Sequence, residues 1–413
     1  MLTTAKRTTL AFTVFAMFFG AGNLIFPVFL AFQSGGDFPL AFSGFALSAI
    51  GLPILALLAS MKAGGLEELA RRVSPAFSKV FTVVVYLAIG PCLAIPRTAS
   101  TSHEMVALAT GMDSAIARFV YCALFFLLAA LLARRPERLS NRLGRILSPT
   151  LVILIAVLTV GSLTTTAPSL GQWQYASHPL QKGFLEGYQT MDAIAGLVFA
   201  SIVTLNVKAL GVEEGMKKEC TIASVAGGML ILLIYCALAL IGLCAHSFMT
   251  EASTGAEILS LTASVLFPAF GDKLIAVVFI LACFNTCTGL LSSCSQYFSK
   301  AFPVLSRDMW LLVFAIVSLI LANTGLERMI SISAPVLEVI YPVAVTLMVL
   351  AFLPREKAKG CTYKLAAAAA TLSSLVSTLT GMKFLWLIPT VIFTLVGLIL
   401  DNRSGKGWPQ KNK

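Results

Sequence analysis

A glycine-rich interruption lies in the middle of the first apolar segment of this sequence. The segment runs uncharged from Leu10 to Phe32, which as a helix is long enough to cross the hydrocarbon core of a bilayer. Its centre, Phe18 to Pro27, contains two glycines and a proline that weaken the helical hydrogen-bond ladder, and a polar Asn23. Irregular backbone at such a depth is tolerated where it is buried in protein or lines a cavity. We therefore predict a broken helix at a solute-binding site, with close helix packing as the alternative role of these residues.

Two carboxylates fall inside apolar segments, where a charge at the centre of a helix costs about 2.5–3.5 kcal/mol. Asp192 lies just inside the outer end of the sixth segment, where it either complements the helix dipole or serves as an ion or proton relay. Glu338 lies between Pro335 and Pro342 in the tenth segment. We expect it to be a proton or ion relay, or to form a structural hydrogen bond with a neighbouring helix.

The eighth apolar segment concentrates side-chain oxygens. Asn285, Thr286 and Thr288 lie within one helical turn, and two serines follow. A hard monovalent cation prefers several oxygen ligands and accepts backbone carbonyls as well. These residues therefore predict a cation site, although hydroxyl groups also bond back to their own helix.

The third apolar segment is expected to be kinked. It contains Gly90, Pro91 and Pro96, which interrupt helical hydrogen bonding. Arg97 follows directly, and we expect it to pair with Glu104 near the outer end of the segment.

The composition places the chain among the polytopic helical membrane proteins. Of its 413 residues, 58% are hydrophobic and 12% charged, and the mean hydropathy is +0.89. Soluble domains carry about 25% charged residues. The net charge of +11 would suit nucleic acid, but the basic residues occupy short connections between apolar segments, which is a topology signal. We therefore expect a lipid bilayer and no nucleic acid as the partner.

The sequence contains no motif for metal or nucleotide chemistry. No pair among His103, His178 and His246 has zinc-ligand spacing. A glycine-rich phosphate-binding loop with lysine is also missing, so we expect no ATP-hydrolysing partner. The nine cysteines lie mostly inside apolar segments and are expected to be small hydrophobic residues rather than a disulfide framework.

Twelve apolar segments are predicted to span the membrane. They lie near residues 9–32, 39–61, 79–104, 115–133, 147–167, 190–210, 221–246, 273–299, 309–323, 331–353, 364–382 and 384–401. All but six of the 30 Lys and Arg fall on one side of the membrane when the N-terminus is placed in the cytoplasm. Both termini are therefore predicted to be cytoplasmic, and the first span is too long for a cleaved signal peptide. Residues 168–189 are expected to be an outer connection, and Ala256 to Phe270 either a short surface helix or an interfacial loop.

Four motifs resemble the bacterial branched-chain amino acid:cation symporter family. They are FFGAGNLIFP at 18–27, IGP at 89–91 with AIPRTA at 94–99, GYQTMDA at 187–193 and PVLEVIYP at 335–342. They occur in order across most of the chain, and the first is fairly specific by itself.

The resemblance implies an all-α leucine-transporter-type fold with two inverted five-helix repeats and two further helices. The first repeat would cover residues 9–167, the second 190–353, and the accessory helices 364–401. Substrate would bind at the midplane, between the broken first and sixth spans. The location implied is the bacterial cytoplasmic (inner) membrane.

The resemblance also assigns site residues. Ala21, Gly22 and Asn23 would meet the charged end of an amino acid, while Phe199, near the expected break of the sixth span, would cover its aliphatic side chain. Ser201 is a further polar candidate in that span. Sodium would be bound by carbonyls of Ala16, Phe19 and Ala282 and by side chains of Asn285 and Thr286. The family pattern leads us to expect a threonine pair at the last two positions, so Asn285, with its longer arm, leaves the coupling ion open between sodium and a proton.

The function implied is import of leucine, isoleucine, valine or a similar apolar amino acid, driven by a cation gradient through alternating access. A proton-coupled transporter of another neutral amino acid, such as methionine, is the near alternative, with Asp192 or Glu338 as the relay. A membrane-embedded enzyme would need converging acid and base groups or a metal cluster, and the dispersed histidines argue against one. A channel would need a continuous polar stripe, which the segments lack.

Overall fold

A computed structural model describes residues 3–134, 136–170, 178–210, 215–354, 358 and 360–404. Every regular element in these ranges is helical. The helices are α1 (Thr4–Phe18), α2 (Ala21–Ser34), α3 (Phe38–Ala46), α4 (Leu52–Ala63), α5 (Leu66–Arg71), α6 (Pro75–Leu87), α7 (Ala94–Thr110), α8 (Ala115–Ala133), α9 (Pro136–Thr165), α10 (Pro179–Tyr188), α11 (Asp192–Ala209), α12 (Met216–Ala245), α13 (Gly255–Leu266), α14 (Gly271–Ala301), α15 (Arg307–Ala322), α16 (Leu326–Phe352), α17 (Gly360–Thr380) and α18 (Leu387–Ser404).

Six helical segments in the described ranges are long and apolar enough to cross a membrane. They are Gly22–Ala63, Pro75–Thr110, Ala115–Ala133, Met216–Ala245, Gly271–Ala301 and Leu326–Phe352, and the bent pair of α10 and α11 makes a seventh. Large apolar side chains remain exposed on these helices and on α17 and α18, for example Ile116 and Leu379. Such an extended apolar surface needs a lipid environment. The chain is therefore a multi-pass membrane protein, while the count of twelve spans stays a prediction.

The first span is broken where the sequence predicts it. α1 ends at Phe18 and α2 begins at Ala21, with Phe19 and Gly20 both in extended conformations between them. The carbonyl of Phe19, with a ψ of 98°, leaves the helical ladder of α1. Pro27 does not cause the break, since it lies inside α2.

The third span is also interrupted, at the predicted glycine and proline. α6 ends in a wide turn over Ala88–Cys92, and Gly90 has a non-helical φ of −99° and ψ of −129°. A methyl group on Gly90 would lie 2.9 Å from the sulfur of Cys294, so α14 approaches this turn closely. The kink reorients α7 relative to α6.

The break of the sixth span lies about nine residues earlier in the sequence than predicted. We expected it near Phe199, but α10 and α11 meet at Gln189–Met191 with a bend of 44°. Met191 takes up the turn with a positive φ of 62°. α10 therefore occupies part of the predicted outer connection at 168–189, of which residues 171–177 lie outside the described residues. A search for apolar segments misses α10 because the helix contains charged residues, including a Lys182–Glu186 pair.

Reciprocal glycines hold α10 against α3. A methyl group on Gly183 would overlap the carbonyl oxygen of Ala41, and one on Gly44 would overlap that of Leu180. Glycine at these positions allows the backbones to approach closely, as in other packed membrane helices. The first half of the sixth span is thus fixed against the second span.

Two large buried clusters form the core of the molecule. One is built mainly from α1, α2, α12 and α13, and the other from α4, α6, α11, α16 and α17. Phe199 packs against both clusters. Residues beside the break of the first span belong to the first cluster, and residues beside the break of the sixth span belong to the second.

The two halves of the first span are each held by contacts to other helices. In α1, Arg7 donates two hydrogen bonds to Glu219 of α12, at 2.8 Å and 2.7 Å. In α2, about one turn beyond the break, the carbonyl of Ile25 lies against the start of α13, where a methyl group on Gly255 would overlap it. Most of the piece predicted at Ala256 to Phe270 is therefore part of a helix, α13, which ends at Leu266 and packs against the first span.

Replacing Gly183 by Ala should weaken the packing of α10 on α3. The added methyl group meets backbone rather than a flexible side chain, so we expect a destabilisation of about 1–3 kcal/mol. The measurement is the melting temperature of the purified protein in detergent. Gly289→Ala is the matched control, because Gly289 is also helical but has open space at its Cβ position. Equal melting temperatures of the two variants would contradict the packing described here.

Candidate functional site

The side chain of Asn23 joins the two broken spans. It is 2% exposed, and its Oδ1 accepts a hydrogen bond from the backbone N–H of Gly20 at 3.0 Å. Its Nδ2 donates to Oδ2 of Asp192 at 2.5 Å and to Oη of Tyr235 at 2.6 Å. The Asn23 amide therefore bonds to the backbone at the break of the first span and also to Asp192 at the break of the sixth span.

Asp192 is the first residue of α11 and is 4% exposed. Its Oδ2 also accepts a hydrogen bond from the hydroxyl of Tyr235, at 3.3 Å. Oδ2 of Asp192 therefore accepts from two donors, which favours negative charge on this oxygen. The N-terminal end of α11 favours the same negative charge, so the predicted dipole role and a site role coincide.

A small cavity of about 60 Å³ lies at the meeting point of the breaks. Its lining residues are Met17, Phe18, Gly20, Gly22, Asn23, Ile89, Ala94, Arg97, Thr98, Thr190, Met191, Asp192, Ala195, Phe199, Thr286 and Leu290. We call this space the central cavity. The rings of Phe18 and Phe199 meet edge to face at 5.6 Å along its wall. The cavity thus combines a polar end with an apolar wall, which is the usual character of a small-molecule site.

Arg97 lines the central cavity and does not pair with Glu104 as predicted. Its guanidinium carbon lies 5.3 Å from the ring centroid of Phe26, and the residue is 4% exposed. Glu104 instead accepts a hydrogen bond from Thr254. Seven helical residues separate the two side chains by about 10 Å along α7, which is too far for a direct pair. The kink before α7 lets Arg97 approach α2 instead.

Oxygen atoms of α14 approach the break of the first span. Thr286 lies beside Gly20, where a methyl group would be 3.4 Å from the Thr286 hydroxyl. Oδ1 of Asn285 is buried and has no hydrogen-bond partner among the described residues. Ala282 is buried on the same helix, and Ala16 lies in the last turn of α1. Of the predicted ion ligands, only Thr286 lines the central cavity, while Asn285 lies next to it in sequence.

Two predicted site residues lie away from the central cavity. Ser201 is exposed, and its hydroxyl donates to the carbonyl of Val198 in its own helix at 3.0 Å. Glu338 pairs with Lys383, whose Nζ lies 2.6 Å and 2.7 Å from the two carboxylate oxygens. This pair lies in a separate depression lined by α10 and α16. Lys383 follows α17, so its distance of 45 residues along the sequence hides the pairing from sequence analysis.

Tyr235 and Arg97 are site residues that the sequence analysis did not assign. Tyr235 is fully buried in α12, where its hydroxyl needs a polar partner. A lone tyrosine inside a long apolar helix was therefore an available signal. For Arg97 the sequence predicts a pair with Glu104 of the same helix, whereas the structure brings its guanidinium to Phe26 of α2.

The fold is shared with solved transporters of low sequence identity. Mhp1, a nucleobase-cation-symport-1 family transporter in a closed conformation with bromovinylhydantoin bound, matches with a TM-score of 0.66 and 15% identity over 96% of this chain and 92% of that one. MhsT in complex with L-phenylalanine matches with a TM-score of 0.63 and 16% identity over 96% and 98%. The chain therefore has the leucine-transporter-type fold that the sequence motifs implied.

Sequence relatives are amino acid permeases. The branched-chain amino acid permease BraB of Bacillus subtilis (strain 168) is 37% identical over 353 residues, which are 84% of this chain and 79% of the relative. The branched-chain amino acid permease BrnQ of Lactobacillus delbrueckii subsp. lactis is 36% identical over 365 residues, 85% and 81% of the two chains. The model of the branched-chain amino acid transport protein family matches residues 3–403. The chain therefore belongs to the family of branched-chain amino acid transport proteins, and it is a transporter rather than an enzyme.

Proposed function

We propose that the protein imports leucine, isoleucine, valine or similar apolar amino acids into a bacterial cell, coupled to sodium. The observation that carries this proposal is the central cavity at the meeting of the two breaks, which has charged groups at one end and aromatic rings on its wall. The printed names of BraB and BrnQ support the same substrate class. The membrane is the cytoplasmic (inner) membrane, with both termini on the cytoplasmic side as the Lys and Arg distribution indicates.

The break of the first span supports binding of the charged end of an amino acid. The amides at the start of α2, from Ala21 and Gly22 onward, carry the partial positive charge of a helix N-terminus and favour a carboxylate. Asn23 holds this terminus in place and at the same time positions Asp192. Phe18 and Phe199 leave apolar surface for the aliphatic side chain.

Sodium is proposed to bind between α1 and α14. Its ligands are the carbonyls of Ala16, Phe19 and Ala282 and the side chains of Asn285 and Thr286, a set of hard oxygen donors that suits this ion. The buried Oδ1 of Asn285 supports the assignment, because an unsatisfied buried acceptor costs about 1–3 kcal/mol. Coordination of a cation would offset that cost.

Transport is proposed to follow alternating access. The Arg7–Glu219 pair holds the N-terminal end of α1 to α12, while the start of α13 packs against α2 about one turn beyond the break. In the cycle, these contacts open in turn around the fixed cavity. Substrate and ion shift the populations because they bind one state better than the other.

Proton coupling is the second candidate and rests on Asp192. Its carboxylate lies in the central cavity beside the substrate position, where gain and loss of a proton would change substrate affinity. Glu338 is the other candidate relay, although its pairing with Lys383 in the separate depression supports it less.

Labelled leucine uptake into proteoliposomes tests the proposal directly. An inward sodium gradient should drive accumulation at constant pH, because ion and substrate bind the same state. Sodium, pH and competing amino acids are varied separately. Failure to take up leucine, isoleucine, valine and methionine under every gradient would contradict the proposed function. Uptake that follows pH and ignores sodium would support the proton-coupled candidate instead.

Asn23→Ala should abolish uptake while the protein still inserts into the membrane. The change leaves the Gly20 N–H and the Asp192 carboxylate without their amide partner, each at about 1–3 kcal/mol, and releases the two breaks from each other. Membrane content and elution from a sizing column serve as the folding readout. Asn323→Ala is the control, since Asn323 follows α15 and its side-chain amide donates to the carbonyl of Leu319 in that helix. Normal uptake by Asn23→Ala would indicate that the glycine-rich break serves helix packing and does not bind substrate.

Asn285→Ala should raise the sodium concentration needed for half-maximal uptake by about tenfold, which corresponds to about 1.4 kcal/mol of lost ligation. Asn285→Thr keeps an oxygen and should have a smaller effect. Ser201→Ala is the matched control, because Ser201 lies outside the cavity. An unchanged sodium requirement in Asn285→Ala would show that Asn285 does not bind the ion.

A further inference from the structure

Arg97 carries a buried positive charge for which the described residues supply no carboxylate partner. None of the ion pairs in the described ranges, with N···O distances up to 4.0 Å, includes Arg97. Its Nη1 is buried without a hydrogen-bond partner among those residues. The contact with the Phe26 ring is a weak cation–π attraction, and it offsets only part of the cost of removing a guanidinium from water. The Arg97 guanidinium thus has a free donor that a bound anion would satisfy.

The guanidinium lies against the first turn of α2. A methyl group on Gly22 would be 2.9 Å from Nη2 and 3.5 Å from the guanidinium carbon of Arg97. Glycine at this position therefore allows the side chain to approach the amide N-terminus of the helix. Two sources of positive charge converge at one end of the central cavity, and the planar fork of arginine matches a carboxylate.

A negative charge lines the same cavity at a distance from Arg97. Asp192 is fixed by Asn23 and Tyr235, and its carboxylate is more than 4.0 Å from the guanidinium, because the two make no ion pair. The two opposite charges are thus held apart within a cavity of about 60 Å³. A ligand that carries both charges would satisfy each of them.

We propose that Arg97 binds the carboxylate of the transported amino acid and Asp192 its ammonium group, so that the central cavity recognises a free zwitterion. This inference rests on the proposed function and assigns its substrate-binding side chains. It predicts that the protein discriminates strongly against apolar amines and apolar acids, which satisfy only one of the two charges. A site that leaves a buried charged group unpaired rejects the wrong ligand far more strongly than one that misses a methylene.

The test compares ligands that lack one charge. The dissociation constants of leucine, leucinamide and 4-methylpentanoate are measured by ligand-induced thermal stabilisation of the full-length protein in detergent. Leucinamide lacks the carboxylate, and 4-methylpentanoate lacks the ammonium group. Each should bind the unmodified protein at least about 100-fold more weakly than leucine.

Arg97→Gln should remove the preference for a carboxylate. Leucine affinity is expected to fall at least about 100-fold, while that of leucinamide changes by less than about threefold, so the leucine-to-leucinamide ratio collapses. Arg97→Lys keeps the charge but loses the fork, and should give an intermediate ratio. Arg72→Gln is the matched control, because Arg72 is another buried arginine whose Nη1 bonds to Tyr363, outside the cavity.

The outcomes separate this inference from the proposed function. If the unmodified protein binds none of leucine, isoleucine, valine and methionine, the proposed function itself fails. If it binds leucine but Arg97→Gln weakens leucine and leucinamide equally, Arg97 has a structural role or binds an inorganic anion, and the assignment is wrong. Equal affinity of the unmodified protein for leucine and leucinamide would overturn it too. Asp192→Asn tests the assignment of Asp192 to the ammonium group. It should reduce the preference for leucine over 4-methylpentanoate, which lacks that group.

Discussion

The amide of Asn23 is the contact on which the rest of the site depends. A helix broken inside a bilayer leaves backbone groups that no solvent can satisfy, so every break needs internal partners. Asn23 supplies its oxygen to the Gly20 N–H and its nitrogen to Asp192 and Tyr235. It therefore stabilises one break and positions the polar start of the other. A carboxamide suits this position because its oxygen accepts and its nitrogen donates without the side chain carrying a charge.

The charges of the site follow from the same constraint. A helix N-terminus in a low-dielectric interior carries partial positive charge, and both α2 and α11 begin at the central cavity. Asp192 complements the start of α11, whereas the start of α2 has Arg97 beside it and gains further positive charge. The cavity is thus lined by groups of both charges. An uncharged apolar solute would leave both charges unsatisfied, so such a site suits amino acids better than lipids or other hydrophobic molecules.

The sequence predicts local breaks better than distant partners. Gly20, Gly22 and Asn23 interrupt an uncharged segment, so the first break is visible without any structure. α10 escapes detection because its charges interrupt the apolar pattern, and that displaces the expected break of the sixth span to Phe199. Asn23 and Asp192 are separated by 169 residues, and Asn23 and Tyr235 by 212, so no local pattern joins them. Arg97 and Glu338 illustrate the same limit, since the partner of an intramembrane charge depends on how kinks and helix connections orient it.

In the proposed cycle, ligand binding at the cavity would affect both halves of the first span, because each half is held by its own contacts. α1 is held by a charge-assisted pair at Glu219, and α2 by close backbone packing against the start of α13. The two halves meet at Phe19 and Gly20, whose extended backbone is anchored chiefly by Asn23. A ligand that contacts this break therefore acts on a hinge between two independently held helices. Because the proposed substrate and ion sites both include residues of this break, each ligand would stabilise the geometry that the other needs, which is the physical requirement for coupling.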